Sequence, residues 1–237
     1  MSKISPKSDN MKKILSILAF LCAAWMSVQA ERVILGAEQT KQYLPLLKDK
    51  RVALLSNHTG IIIQTKSERR EARGERQEVK GDTIHTLDLL LQHGVEVTAI
   101  FSPEHGFRGT AREGELVASS IDEKTGIPIL SLYDGKSKRP SKEAMATFDI
   151  LITDIQDVGL RFYTYYVTML RLMDVCAQEG KQFMVFDRPN PNGYYVDGPI
   201  LDMKHKSGVG GLPIPVVHGM TLGELALMIN GERWLSD

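Results

Sequence analysis

The stretch Val95–Gly109, VEVTAIFSPEHGFRG, decides the fold predicted for this chain. It opens with alternating and then continuous apolar residues, the pattern of a strand that becomes buried on both faces. Pro103 ends the strand, because proline cannot donate a hydrogen bond to a neighbouring strand. A carboxylate, an imidazole, a glycine, an aromatic ring and a guanidinium follow at Glu104–Arg108. Ligands of open parallel sheets bind beyond the carboxyl ends of the strands, so this segment predicts a functional site.

Similar apolar segments recur along the chain, and most lead into polar residues. The other predicted strands are 51–56, 127–132, 149–154 and 182–187. Five helices are predicted. The first passes through Leu44 and Leu47, the second runs from an Asp82 cap to Gly94, and the third covers 141–147. The fourth ends at Gly180, and the fifth opens with the capping box Thr221–Glu224. The charged segment 66–81 predicts a solvated loop. This alternation predicts an α/β fold with a doubly wound, mostly parallel sheet.

Composition and the amino terminus limit the classes of function. The 237 residues carry no net charge and no long basic tract, which argues against nucleic acid as a partner. Met11–Ala30, MKKILSILAFLCAAWMSVQA, has the layout of a signal peptide cleaved after Ala30, and its apolar core is too short to favour a permanent membrane span. Cleavage would leave the protein secreted or periplasmic. Cys176 would then be the sole cysteine, so no internal disulfide is expected.

Common cofactor and catalytic motifs are missing from the sequence. No Gly-x-Gly-x-x-Gly follows the first predicted strand, so a dinucleotide site is poorly supported. No P-loop, Gly-x-Ser-x-Gly or His-Glu-x-x-His occurs either. The sequence therefore predicts no cofactor and no resident metal.

Five segments together resemble one family of secreted bacterial enzymes. They are SNHTG (56–60), SPEHGFRG (102–109), TDIQDVGLRFYTY (153–165), FDRPNPNG (186–193) and VVHGMTLGELA (216–226). The family consists of exo-β-N-acetylmuramidases, formerly a bacterial domain of unknown function. The resemblance implies a glycoside hydrolase that removes N-acetylmuramic acid from the non-reducing ends of peptidoglycan fragments, with muropeptides or disaccharides as its partners.

The resemblance also implies a domain organisation. Residues 1–30 are expected to be the signal peptide region, and 31–219 a Rossmann-like domain whose strand-end loops face a second domain across a sugar cleft. Residues 220–237 are expected to begin that second domain, and most of it is expected to be missing or truncated in this sequence. Hydrolysis by residues 31–237 alone is therefore expected to be weak or absent, and to be restored by any downstream coding sequence.

Catalytic roles follow in part from the resemblance and in part from the residues. The resemblance implies that Glu104 is the catalytic acid or base. Glycoside hydrolysis usually needs a second carboxylate, for which Asp154, Asp157 and Asp187 are candidates. The sequence does not choose among them, and the substrate's own 2-acetamido group is an alternative nucleophile.

Substrate contacts are predicted from the remaining polar residues at strand ends. A guanidinium suits the lactyl carboxylate of muramic acid, and Arg161 or Arg188 is predicted to bind it, with Arg108 as the third choice. Each could instead form a structural ion pair, and Tyr163 could stack on a sugar ring or belong to the core. The full predicted set is Asn57, His58, Thr59, His105, Arg108, Gln156, Arg161, Tyr163, Asp187, Arg188, Asn190 and His218.

Two other functions stay open at this point. The residues His58, His105, His218, Asp154, Asp157 and Glu104 form a plausible metal-ligand set, although none shows close ligand spacing. A non-catalytic muropeptide-binding protein is the second alternative.

Overall fold

A six-stranded sheet with helices on both faces forms the centre of the unit Ile34–Asp237. The computed structural model describes residues 32–64, 82–103, 107, 119–132 and 139–236. The strands are β1 (Arg51–Ser56), β2 (Ile61–Gln64), β3 (Asp82–His85), β4 (Glu96–Ser102), β5 (Ser120–Ile121), β6 (Pro128–Ser131), β7 (Ile150–Asp154) and β8 (Gln182–Val185). The helices are α1 (Thr40–Leu47), α2 (Thr86–Gln92), α3 (Lys142–Met145), α4 (Tyr165–Gln178) and α5 (Leu222–Gly231), with short 3₁₀ turns at Gly36–Glu38 and Met203–His205.

The strand order confirms the predicted fold class. The order across the sheet is β5-β6-β4-β1-β7-β8, and every neighbouring pair is parallel except β5 with β6. The chain starts at β1, moves outward through β4 and β6, and then returns to the other side of β1 for β7 and β8. This reversal creates a topological switch point between β1 and β7.

Neighbouring residues of the central strands pack into different layers, which explains their continuous apolar sequence. Leu54 of β1 packs in one layer with Leu90 of α2, and Leu55 packs in the other with Leu172 of α4. All four side chains are fully buried. Side chains alternate between the faces of a strand, so a sheet covered on both faces requires apolar residues at every position.

The sequence prediction for residues 82–94 is wrong at its start. Asp82 does not cap a helix, because Asp82–His85 forms β3, which pairs antiparallel with β2 in a separate hairpin. The helix begins at Thr86, and the His85 side chain caps it by accepting the Leu87 N–H at 3.1 Å. The pairing of Ile62 with Ile84 decides this boundary, and such a contact is not visible in local periodicity. The charged segment 66–81 lies outside the described residues.

Helix α5 packs against α4 and the edge strand β8, in a third apolar cluster. Leu225 and Ile229 are fully buried in a cluster with Met169 of α4. The predicted capping box is confirmed, since Thr221 Oγ1 accepts the Glu224 N–H and the Glu224 carboxylate accepts the Thr221 N–H. The proposal that residues 220–237 also begin a second domain stays a prediction.

Asp187 fastens the start of α5 to the end of β8. Its Oδ2 accepts the Thr221 hydroxyl at 2.6 Å and its Oδ1 accepts the Gly223 N–H at 2.8 Å. We expect Asp187→Ala to lower the free energy of unfolding by about 1–2 kcal/mol, because a helix-start acceptor is lost. Urea denaturation measures this.

The matched control is Asp202→Ala, which removes a similar acceptor from an exposed 3₁₀ turn, where Asp202 accepts the Lys204 N–H at 3.1 Å. We expect this control to change stability by less than about 0.5 kcal/mol. Equal losses in the two variants would contradict the role given to Asp187.

Candidate functional site

The carboxyl ends of β1 and β7 meet at the switch point of the sheet. Ser56 ends β1 beside Asp154, which ends β7, and the Ser56 hydroxyl donates to the Asp154 carbonyl at 2.8 Å. The polar loops 57–60 and 155–159 follow these two strands directly. In open α/β sheets this crevice is where ligands bind.

A buried ion pair joins Asp154 to Arg188. Arg188 Nε donates to Asp154 Oδ1 at 2.5 Å and Nη2 donates to Oδ2 at 3.1 Å, while their side chains are 6% and 0% exposed. Arg188 Nη1 donates to the Ile61 carbonyl at 3.1 Å, and the Thr86 hydroxyl also donates to Asp154. This pair is the structural alternative considered for Arg188, and it favours a structural role for Asp154.

The guanidinium of Arg161 is also hydrogen-bonded within the protein. Its Nη1 donates to the carbonyls of Pro199 and Ile214, each at 2.7 Å. Its backbone N–H donates to the Val216 carbonyl at 2.8 Å. Arg161 thus holds the segments around 199 and 215 together. Arg108, the third arginine considered for the lactyl carboxylate, lies outside the described residues.

The loop after β1 is a turn closed by its own side chains. Asn57 Oδ1 accepts the Thr59 N–H at 2.9 Å and the Thr59 hydroxyl at 2.6 Å, which is an Asx turn. Thr59 Oγ1 accepts the Gln156 N–H at 3.0 Å, so the loops after β1 and β7 are joined. His58 is exposed, whereas Asn57 is buried and its Nδ2 has no partner among the described residues.

Gln156 links the loop after β7 to the loop after β8. Its Nε2 donates to the carbonyl of Asp157 at 2.7 Å and to that of Pro189 at 2.8 Å. The Gln156 side chain therefore joins the loops that follow the neighbouring strands β7 and β8.

His85 supports this loop and was missed by the sequence analysis. Its Nδ1 accepts the Leu87 N–H, so Nε2 carries the proton and donates to the Asn57 carbonyl at 2.8 Å. Gly60 is required here, since an added Cβ would lie 2.3 Å from the Ser56 hydroxyl oxygen and 3.1 Å from His85 Nε2. The sequence contained no signal for this role, because His85 fell inside a predicted helix.

Phe107, which follows the Pro-Glu-His-Gly segment in the sequence, packs beside His85. Its ring packs edge-on against the His85 ring, with centroids 5.0 Å apart, and the residue is 3% exposed. Glu104, His105 and Arg108 lie outside the described residues. The described neighbours of these predicted site residues are Pro103, at the end of β4, and Phe107.

Asp157 carries a buried carboxylate oxygen without a partner. Its Oδ1 accepts the Gly159 N–H at 2.8 Å, but its Oδ2 has no partner among the residues described. The residue is 5% exposed, and burial raises the pKa of its carboxyl group to about 6. Buried polar atoms are nearly always paired, so an unpaired oxygen needs an explanation, and a functional role is one.

His218 lies on a neighbouring loop and has an unpaired nitrogen as well. It donates its backbone N–H to the Gly159 carbonyl at 3.1 Å, and its Nδ1 accepts the Met220 N–H at 3.3 Å. Its Nε2 therefore carries the ring proton, and this atom has no partner among the described residues. Burial lowers the pKa of His218, which keeps the ring neutral.

Asn190 and Tyr163 are both engaged with other residues. Asn190 Nδ2 donates to the Met220 carbonyl at 2.9 Å, and its Oδ1 accepts the Asn192 N–H at 2.8 Å. Tyr163 packs its ring edge-on against Tyr165, with centroids 5.0 Å apart. Both residues, like Asp187, therefore shape the loops around the crevice.

A groove of about 590 Å³ lies between α4, β8 and α5. Its lining is mostly apolar and includes Phe183, Val185 and Leu227. None of the unpaired polar atoms described above belongs to its lining. Within the described part of the chain, no three His, Cys, Asp or Glu side chains are grouped to hold a metal ion.

Fold and site together define a Rossmann-like α/β protein with a polar crevice at its switch point. The chain belongs to the exo-β-N-acetylmuramidase NamZ family, whose N-terminal region it matches over residues 52–237. It is 45% identical over 192 residues to the peptidoglycan β-N-acetylmuramidase NamZ of Bacillus subtilis (strain 168), a match covering 80% of this chain and 42% of that protein.

Two crystal structures of DUF1343 family proteins from Bacteroides fragilis NCTC 9343 have the same fold. One is 58% identical with a TM-score of 0.69, and the other is 36% identical with a TM-score of 0.70. Each match covers 86% of this chain but only 48% and 47% of those chains. The chain thus spans about half the length of these relatives. None of its described helices is long and apolar enough to cross a membrane.

The raised pKa of Asp157 predicts a specific pH dependence of stability. The folded pKa of about 6 exceeds the ordinary value of 3.8, so the folded state binds this proton more tightly than the unfolded state. Wild-type stability should fall as the pH rises from about 4 to 6, by about 2–3 kcal/mol for this group. Asp157→Asn cannot ionise, so it should match the wild type at pH 4 and exceed its stability at pH 7.

Urea denaturation of both proteins between pH 4 and pH 7.5 measures the difference. The comparison of the two proteins cancels the titration of all other groups. A stability difference that does not change with pH would contradict the raised pKa.

Proposed function

We propose that this protein is the catalytic half of a peptidoglycan exo-β-N-acetylmuramidase, which releases N-acetylmuramic acid from the non-reducing ends of peptidoglycan fragments. One observation carries the proposal. The family match at residues 52–237 spans all the loops that form the switch-point crevice. The 45% identity to a peptidoglycan β-N-acetylmuramidase supplies the substrate class.

Glu104 is proposed as the general acid. It follows Pro103 at the end of β4, which pairs with β1 beside the switch point. Cleavage of a glycosidic bond needs a proton on the departing oxygen, because an unprotonated sugar alkoxide is a poor leaving group. Charge then develops on the sugar as an oxocarbenium ion, and the buried polar crevice supplies fixed dipoles around it.

Export is a further part of the proposal. The Met11–Ala30 pattern supports cleavage after Ala30, and peptidoglycan fragments occur outside the cytoplasmic membrane, where an exported enzyme would meet them. N-terminal sequencing of the protein from the periplasm or medium should give Glu31 as the first residue. An uncleaved Met11 in the cytosol would refute export.

Substitution of Glu104 tests the catalytic proposal. Glutamine is nearly isosteric but cannot donate a proton, so Glu104→Gln in the whole gene product should lower kcat on a natural disaccharide by about 10²–10⁴-fold. An aryl glycoside with a good leaving group should lose less, because it needs less protonation. Enzyme kinetics on the two substrates, with circular dichroism as the test of folding, measures both effects.

Glu96→Gln is the matched control, since Glu96 is exposed and starts the same strand at its opposite end. We expect this variant to keep wild-type kcat. A folded Glu104→Gln protein with near-normal rates on the disaccharide would show that Glu104 is not the acid. Loss of wild-type activity in a chelator would favour a metal hydrolase, and saturable binding without turnover would favour a muropeptide-binding protein.

A further inference from the structure

The three aspartates near the carboxyl ends of β7 and β8 differ in what their oxygens contact. We propose that Asp157, rather than Asp154 or Asp187, is the second carboxyl group that contacts the substrate. The inference rests on the proposed function, which places a sugar in this crevice. The sequence alone does not choose among these three aspartates.

Asp154 is fully occupied inside the protein. Both oxygens accept hydrogen bonds from Arg188, and the Thr86 hydroxyl adds a third. Its side chain has no exposed surface. A sugar could reach these oxygens only by breaking a buried ion pair, which would leave the Arg188 charge without its partner.

Asp187 is occupied as well, at the start of α5. Its Oδ2 accepts the Thr221 hydroxyl, and its Oδ1 accepts the backbone N–H groups of Gly223 and Arg188. The fit is close, because a Cβ added at Gly223 would lie 2.7 Å from the Asp187 carboxyl carbon. The carboxylate therefore belongs to the link between β8 and α5.

Asp157 is fixed on one side and unpaired on the other. The Gly159 N–H holds Oδ1 at 2.8 Å and so orients the carboxyl group. Oδ2 has no partner among the described residues, and the residue is buried, with only 5% of its surface exposed. An oriented, desolvated oxygen is suited to accept a hydrogen bond from a substrate N–H or O–H, since no water shell has to be rearranged.

His218 makes the same region complementary to a sugar. Its ring Nε2–H is a buried donor without a partner among the described residues, and its backbone is bonded to Gly159, the residue that holds Asp157. An unpaired acceptor and an unpaired donor therefore lie on two loops that are hydrogen-bonded to each other. Sugars carry hydroxyl and acetamido groups that offer both functions.

Three matched variants of the whole gene product test the choice: Asp157→Asn, Asp154→Asn and Asp187→Asn. We expect Asp157→Asn to keep a wild-type or higher melting temperature at pH 7 while kcat on a muropeptide falls about 10²–10³-fold. Asp154→Asn and Asp187→Asn should lower the melting temperature, and their kcat per folded molecule should fall much less. If Asp157 had a purely structural role, Asp157→Asn would not lower kcat while leaving the melting temperature unchanged or higher.

Two results would overturn the inference. One is a folded Asp157→Asn protein with kcat within threefold of the wild type. The other is an equal loss of kcat per folded molecule in Asp154→Asn or Asp187→Asn.

A wild type without hydrolytic activity would instead refute the proposed function, and calorimetric titration with N-acetylmuramic acid then decides the role of Asp157. At least tenfold weaker binding by Asp157→Asn supports the contact. Equal affinity, or a wild type that does not bind the sugar, overturns it.

Discussion

The buried ion pair between Asp154 and Arg188 is the constraint on which the crevice depends. Removing two charges from water costs several kcal/mol for each, and this is offset only when the pair is well aligned and further hydrogen bonds complete it. Here Arg188 reaches the Ile61 carbonyl and Asp154 accepts the Thr86 hydroxyl. One pair therefore joins the ends of β7 and β8 to the start of β2 and the first turn of α2, and fixes the loops that surround the site.

The parallel strands have the same order as those of dinucleotide-binding folds, but the connection that follows the first strand differs. In such folds the first strand leads through a glycine-rich turn directly into a helix, whose N-terminus holds the pyrophosphate. Here β1 leads into the Asn57–Gly60 turn and then into β2, and the next helix among the described residues starts at Thr86, directly after β3. The Thr86 hydroxyl contacts a carboxylate rather than an open anion site. A sheet with the same strand order can thus carry different polar groups at the end of its first strand.

The polar residues of the crevice fall into two groups. The side-chain atoms of one group are hydrogen-bonded within the protein, and each member of the other group has one side-chain atom without a partner among the described residues. Asp154, Asp187 and Asn190 use their side-chain atoms within the protein. Asp157 and His218 each hold one atom in place and leave the other without a partner among the described residues. Such unpaired buried atoms lower stability, and proteins commonly accept that loss at sites where a ligand completes the hydrogen bonds.

The sequence by itself determined the parallel strands, the family and, among the helices of the described residues, all but the start of α2. Each of these features lies in a continuous local segment, such as the apolar run 51–56 or the Pro-Glu-His-Gly motif. Only the tertiary structure decided the β2–β3 hairpin, the His85 cap and the partner of each aspartate. The hairpin and the ion pair join residues far apart in the chain, as with Asp154 and Arg188 at a separation of 34 residues. The His85 cap is a local contact, but the hairpin decides that the helix starts there. Hydrophobic periodicity reports which face of an element is buried, but it does not report which buried polar group meets which, because that depends on how the elements are arranged around the sheet.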